Sequence, residues 1–228
     1  MTSVQRRATA AVISPEEEFA EGIKGLILDC DGVLFDSKEA NTAYYNHIRF
    51  AVQLPPMSED EAAYSHMAST EEALERMIPE ELKEQARLAR EDTRYHDTFM
   101  ALMQPASHVY AFLKIMKNRG VPMALCTNRS DSVLDVLAHF GMESFFAPVM
   151  TITHARPKPD PEGLTEIVRI WGAAPGTLAF LGDSLVDQQA AAAAGIPFWS
   201  FASPDLNARL HVTNFKELTE IMEIMLMR

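Results

Sequence analysis

Short apolar runs alternate with amphipathic stretches over most of this chain, and the two patterns predict different elements. Residues 26–28, 122–128, 147–153, 177–181 and 197–202 are apolar runs too brief for helices, so each reads as a buried strand. Between them, apolar positions recur every three or four residues. Val109, Phe112, Leu113 and Met116 form one stripe, with Lys117 and Arg119 at the helix's negative end and Gly120 as its stop. Val133, Leu134, Val136, Leu137 and Phe140 form a second, capped by Ser130 and closed by Gly141. Leu164, Ile167, Val168 and Trp171 follow Asp160-Pro161, and Leu218, Ile221, Met222 and Met225 follow Asn214-x-x-Glu217. The alanines at 190–194 suit a helix lying close to a sheet. This alternation predicts an α/β fold, a doubly wound parallel sheet with helices on both faces.

Residues 37–104 break the pattern. They are polar, rich in Glu, Met and Ala, and helical in period, with no convincing strand. Ser69-Thr70-Glu71-Glu72 ahead of Ala73, Leu74, Met77 and Ile78 has the form of a capping box, while Pro55-Pro56 and Pro79 interrupt helices. The chain therefore divides into an extension (1–22), a Rossmann-like core (23–36 and 105–228) and a small helical domain inserted at 37–104. Within the extension, Arg6 and Arg7 precede a short apolar piece in the order of a secretory signal. It runs directly into Pro15-Glu16-Glu17-Glu18 without a cleavage pattern, so we read it as a frayed extension.

Composition narrows the partners. The 228 residues, 47% hydrophobic, suffice for a sizeable core, and a net charge of -12 argues against nucleic acid. Two cysteines, Cys30 and Cys126, form no disulfide framework, and alternation points both into the core. No apolar run approaches the roughly 18 residues of a membrane span, which leaves a cytoplasmic protein with no membrane partner.

The chemistry starts at Asp29-Cys30-Asp31-Gly32, just after the first apolar run. Extended backbone places the two carboxylates on one face, and Gly32 lets the chain turn and turn its amides toward an anion. Charges this close repel by about 4 kcal/mol at about 4 Å and an effective dielectric of about 20, so the pair calls for a cation, a shared proton or both. A solvated turn or a fragment of a calcium loop would also fit these four residues. Three further sets sit at later strand ends or the loops beyond: Thr127 with Asn128, Lys158, and Asp183 with Asp187. Polar residues there are where open parallel sheets bind ligands.

In this order, Asp29-x-Asp31-Gly-Val-Leu-Phe-Asp36-Ser37, Thr127-Asn128, Lys158-Pro159 and Gly182-Asp183-Ser184-x-x-Asp187 resemble the four motifs of the haloacid dehalogenase-type hydrolase superfamily, from about residue 25 to 202. The inserted helices resemble the small cap of its phosphoglycolate phosphatase and beta-phosphoglucomutase branch. The resemblance implies a core strand order of 5-4-1-2-3 and a magnesium-dependent phosphatase acting on a small phosphorylated metabolite. It implies Asp29 as nucleophile and Asp31 as acid and base. Mg2+ would bind Asp29, the Asp31 carbonyl and Asp183, with Asp187 as a helper, and the phosphoryl oxygens would contact Gly32, Thr127, Asn128 and Lys158. An acid at position 31 favours phosphate esters over dehalogenation. A phosphoglycolate-like substrate is the expectation, although the acidic insertion offers no clear basic clamp; alternatives are a sugar-phosphate mutase and a non-catalytic binding protein on the same fold.

Within the insertion, His66 is the chosen candidate for facing substrate, placed in a loop ahead of the capped helix, with Tyr44, Tyr45, His47 and Arg49 as further candidates. Arg129 either assists an anionic substrate or faces solvent. The chain is expected to act as a monomer or homodimer.

Overall fold

The computed structural model describes residues 23–226 except 94 and 131, so the extension lies outside the described residues. A six-stranded parallel sheet forms the core. Its strands are β1 (Gly25–Leu28), β4 (Met123–Cys126), β5 (Val149–Met150), β6 (Leu178–Gly182), β7 (Phe198–Phe201) and β8 (Leu210–Val212), in the order β5-β4-β1-β6-β7-β8. The first five follow the order implied by the resemblance. The sixth, β8, corrects the five-stranded expectation: it has three residues and pairs Leu210 with Trp199, too short to leave a periodic signal.

Alternation explains how one sheet makes two cores. Leu26, Leu28, Met123, Leu125, Ala179, Leu181, Trp199 and Phe201 face one way, against helices α6 (Val109–Asn118), α7 (Ser132–His139) and α10 (Phe215–Leu226). Ile27, Ala124, Cys126, Phe180 and Phe198 face the other, against α8 (Glu162–Trp171) and α9 (Leu185–Ala194). Ala190 and Ala191 are fully buried there, so the small side chains bring α9 close to the sheet.

The inserted segment holds α1 (Lys38–Ala51), α2 (Glu59–Met67), α3 (Thr70–Met77), α4 (Lys83–Asp92) and α5 (Tyr95–Thr98). Its two connections pair as a short antiparallel ribbon, β2 (Phe35–Asp36) with β3 (Gln104–Pro105). Capping boxes at Ser58 and Ser69 start α2 and α3. No helix among the described residues is long and apolar enough to cross a membrane.

Arg49 belongs to this scaffold rather than to a substrate site. It is 6% exposed; its Nε donates to the Pro55 carbonyl (2.8 Å), and its Nη1 donates to Glu61 (2.9 Å) and to the Met77 carbonyl (3.1 Å). One side chain thus ties α1 to the loop after it and to the ends of α2 and α3. Arg49→Ala leaves buried carbonyls unpaired and should lower stability by about 2–3 kcal/mol, read from the urea midpoint. An unchanged midpoint would show that the insertion is not held together here.

Candidate active site

The candidate groups gather at the carboxyl edge of the sheet. The Asp29 N–H donates to the Leu181 carbonyl (2.9 Å), so the sheet's hydrogen bonding still fixes the backbone one residue past β1. Gly32 has a φ of +74°, and a Cβ added to it would stand 2.0 Å from an Asp183 oxygen. Its N–H donates to the Phe35 carbonyl (2.8 Å), which corrects the expectation that this amide faces an anion: Gly32 contributes space, and the loop uses its hydrogen.

Lys158 lies at the centre. Its Nζ contacts Asp29 Oδ1 (2.7 Å), Asp187 Oδ1 (2.6 Å) and the Cys126 carbonyl (3.0 Å), one acceptor for each ammonium hydrogen. Burial disfavours its charge, but Asp187 and Asp29 override this and hold the pKa above the ordinary lysine range. The other Asp187 oxygen accepts from the Ser184 N–H (3.1 Å) and hydroxyl in the capping box that opens α9. Both oxygens of Asp187 therefore have protein partners, and its clearest role is to fix Lys158.

Thr127 is buried, and its hydroxyl oxygen accepts the Arg129 N–H (3.1 Å). The Asn128 side chain accepts from the Lys158 N–H (2.7 Å) and donates to the carbonyls of Lys158 and Met67 (3.0 Å each), joining the lysine loop to the end of α2. His66 lies in the last turn of α2, not in a loop. Both its ring nitrogens are buried without a hydrogen-bond partner among the described residues. Burial holds its pKa below the ordinary histidine value despite nearby Asp31.

Asp31 and Arg129 pair. Arg129 Nε and Nη2 each donate to one Asp31 oxygen at 2.7 Å, and Ser37 and Asn41 donate to the same carboxylate. Burial alone would raise the Asp31 pKa, but the guanidinium holds it below the usual carboxylate range. Neither expectation for Arg129 anticipated this arrangement. Asp29, Asp31, Lys158, Thr127, Asn128, Arg129, His66 and Asp183 all line an inner pocket of about 40 Å³. This pocket shares Asn41, Ser65, His66, Met67, Asp183 and Ser184 with an outer cleft of about 710 Å³ between α1, α2 and the loops after β6 and β7. Cys126, its pKa pushed up to about 12 by burial, and Cys30 are buried thiols, as expected.

Residues 26–201 match the model of the haloacid dehalogenase-like hydrolase family. The chain belongs to this family. The hydrolase is 30% identical over 207 residues to a phosphoglycolate phosphatase of Escherichia coli K12, covering 78% of this chain and 80% of that protein. A phosphoglycolate phosphatase of Mesorhizobium japonicum is 28% identical over 184 residues, 75% of this chain and 79% of that protein. A crystal structure of a superfamily hydrolase of subfamily IA from Geobacter sulfurreducens superposes with a TM-score of 0.76 at 33% identity, covering 88% of this chain and all of that one.

The hydrolase's carboxylates fit a hard divalent cation. Asp29, Asp183 and Asp187 each place an oxygen within 4.8 Å of the others, against the single ammonium of Lys158. Burial and then Asp187 push the Asp183 pKa up to about 7, and burial dominates the rise at Asp29. Carboxylates that resist ionising in this way are stabilised when a cation shares their oxygens. Gly32→Ala would drive a methyl group into Asp183 at a φ unfavourable for alanine. It should destabilise by at least about 1–2 kcal/mol, read from the urea midpoint; a midpoint equal to wild type would contradict this packing.

Proposed function

We propose that this hydrolase is a magnesium-dependent phosphatase for a small phosphomonoester of the phosphoglycolate type. The observation that carries the reading is the buried Asp29 carboxylate in contact with Lys158 on the floor of a cleft, beside a carboxylate cluster suited to a cation. The E. coli and Mesorhizobium relatives support the substrate class.

An Asp29 oxygen attacks phosphorus, and the bond from phosphorus to the ester oxygen breaks with its electron pair left on that oxygen. A protonated Asp31 supplies the proton that turns the leaving oxygen into an alcohol. Water then attacks the aspartyl phosphate and gives its proton to Asp31, and the Asp29 carboxylate leaves as inorganic phosphate forms. The covalent intermediate divides one slow displacement into two faster ones. Lys158 exchanges its Asp29 contact for a phosphoryl oxygen as negative charge moves from carboxylate to phosphoryl group. Thr127 and Asn128 border the same space. Mg2+, held by Asp29, Asp183 and the Asp31 carbonyl, with Asp187 adjoining, would reduce the repulsion between carboxylate and phosphate.

Phosphate release from phosphoglycolate, sugar phosphates and nucleotides, with and without Mg2+, tests this reading. Release should require the metal and fall about 10³-fold or more in Asp29→Asn. Near-normal turnover in that variant would contradict the mechanism, and conversion of glucose 1-phosphate to glucose 6-phosphate would indicate a mutase.

A further inference from the structure

Asp31, the residue that must give a proton to the leaving oxygen, is held in this structure as an acceptor. Its Oδ2 takes the Arg129 Nε hydrogen (2.7 Å); its Oδ1 takes hydrogens from Arg129 Nη2 (2.7 Å), Asn41 Nδ2 (3.2 Å) and the Ser37 hydroxyl. A carboxylate surrounded by donors has no proton to give. It must leave the guanidinium before it acts.

Arg129 cannot simply be abandoned. Its side chain is 11% exposed and that of Asp31 14%, so separating them strands a largely buried cation, which is strongly unfavourable without a new partner. The guanidinium is itself fixed from the inserted helices: Nη2 lies 3.0 Å from Asn41 Oδ1 and 3.1 Å from the Tyr95 hydroxyl, and the Tyr95 ring lies beneath it at 4.9 Å. Arg129 also lines the inner pocket with Asp29 and Lys158. The pocket thus contains a preformed, two-pronged carboxylate site, and its present occupant is the hydrolase's own acid.

We propose that Arg129 is a specificity-determining residue: a carboxylate on the substrate takes the place of Asp31 on its guanidinium, and the released Asp31 then takes a proton from water and passes it to the leaving oxygen. This rests on the phosphatase reading and sharpens it to 2-phosphooxy carboxylic acids. In such a molecule one carbon separates the leaving oxygen from the carboxylate carbon. A carboxylate seated on Arg129 therefore brings the leaving oxygen beside the aspartate it has just displaced. Planar fork geometry favours this exchange, since a guanidinium matches either carboxylate with two parallel bonds. Esters of neutral alcohols lack the displacing group, so they bind with Asp31 still engaged.

The test compares phosphoglycolate with 2-hydroxyethyl phosphate, similar in size but without the second charge, in wild type, Arg129→Gln and Arg129→Lys with saturating Mg2+. Wild type should prefer phosphoglycolate by about 10²-fold or more in kcat/KM, with part of the preference in kcat because the acid is released only by the carboxylate. In Arg129→Gln, phosphoglycolate turnover should fall while 2-hydroxyethyl phosphate turnover rises, bringing the ratio toward one. Arg129→Lys, which keeps the charge but loses the fork, should retain part of the preference. A merely structural role would lower both substrates together, and that result would overturn the proposal. So would a wild-type ratio near one, a measurement that needs no variant to fold. Equal release from both esters would overturn this inference alone; release from neither would contradict the phosphatase reading beneath it.

Discussion

A single buried ammonium organises this site. The Nζ of Lys158 lies between Asp29 and Asp187 and donates its third hydrogen to the Cys126 carbonyl, so it ties together the ends of β1 and β4 and the first turn of α9. Two carboxylates converging in a buried place repel unless a cation lies between them, and removing that cation would leave uncompensated charge. The capping box of α9 passes the constraint into the fold, because the Asp187 that holds Lys158 also accepts the N–H and hydroxyl of Ser184 at the helix's N-cap. The orientation of the helix and the positions of Lys158 and Asp29 therefore depend on the same few bonds.

On the proposed reading, chemistry and substrate recognition fall to different parts of the chain. The sheet edge presents Asp29, Lys158 and Asp183 around a pocket too small for more than a small group, while the inserted helices wall the larger cleft with Lys38, Asn41 and His66. The two parts meet at Arg129, which grips Asp31 on the core side and Asn41 and Tyr95 on the other. The acidic insertion thus does border a basic group, but the group comes from the core.

The parts of the fold legible in the sequence were those with a repeating signal. Apolar runs too short for helices revealed five of the sheet's strands, and Ser69 and Glu72 marked the start of α3. β8 escaped because three residues carry no period. α2 carries a capping-box signal at Ser58 and Glu61 but no apolar stripe along Glu59–Met67, so periodicity does not mark it and His66 falls in a helix the apolar pattern leaves out. At the site, Asp29, Lys158, Asp183 and Asp187 could be grouped because each follows or borders a strand end. The Arg129 pair could not: it joins positions 98 apart, with helices in between contributing Asn41 and Tyr95, and no periodicity relates those registers. The amide of Gly32 was misjudged for a related reason, since its acceptor is defined by the tight loop to Phe35 and not by composition.

The central claim is that Asp29, steadied by Lys158, receives the phosphoryl group. The most direct measurement mixes the Mg2+-loaded enzyme with phosphoglycolate carrying labelled phosphorus, quenches in acid within milliseconds and maps the labelled peptide. The account predicts label on the peptide containing Asp29, lost when excess unlabelled substrate is added before the quench. Release of labelled phosphate with no label on that peptide at any time would contradict it.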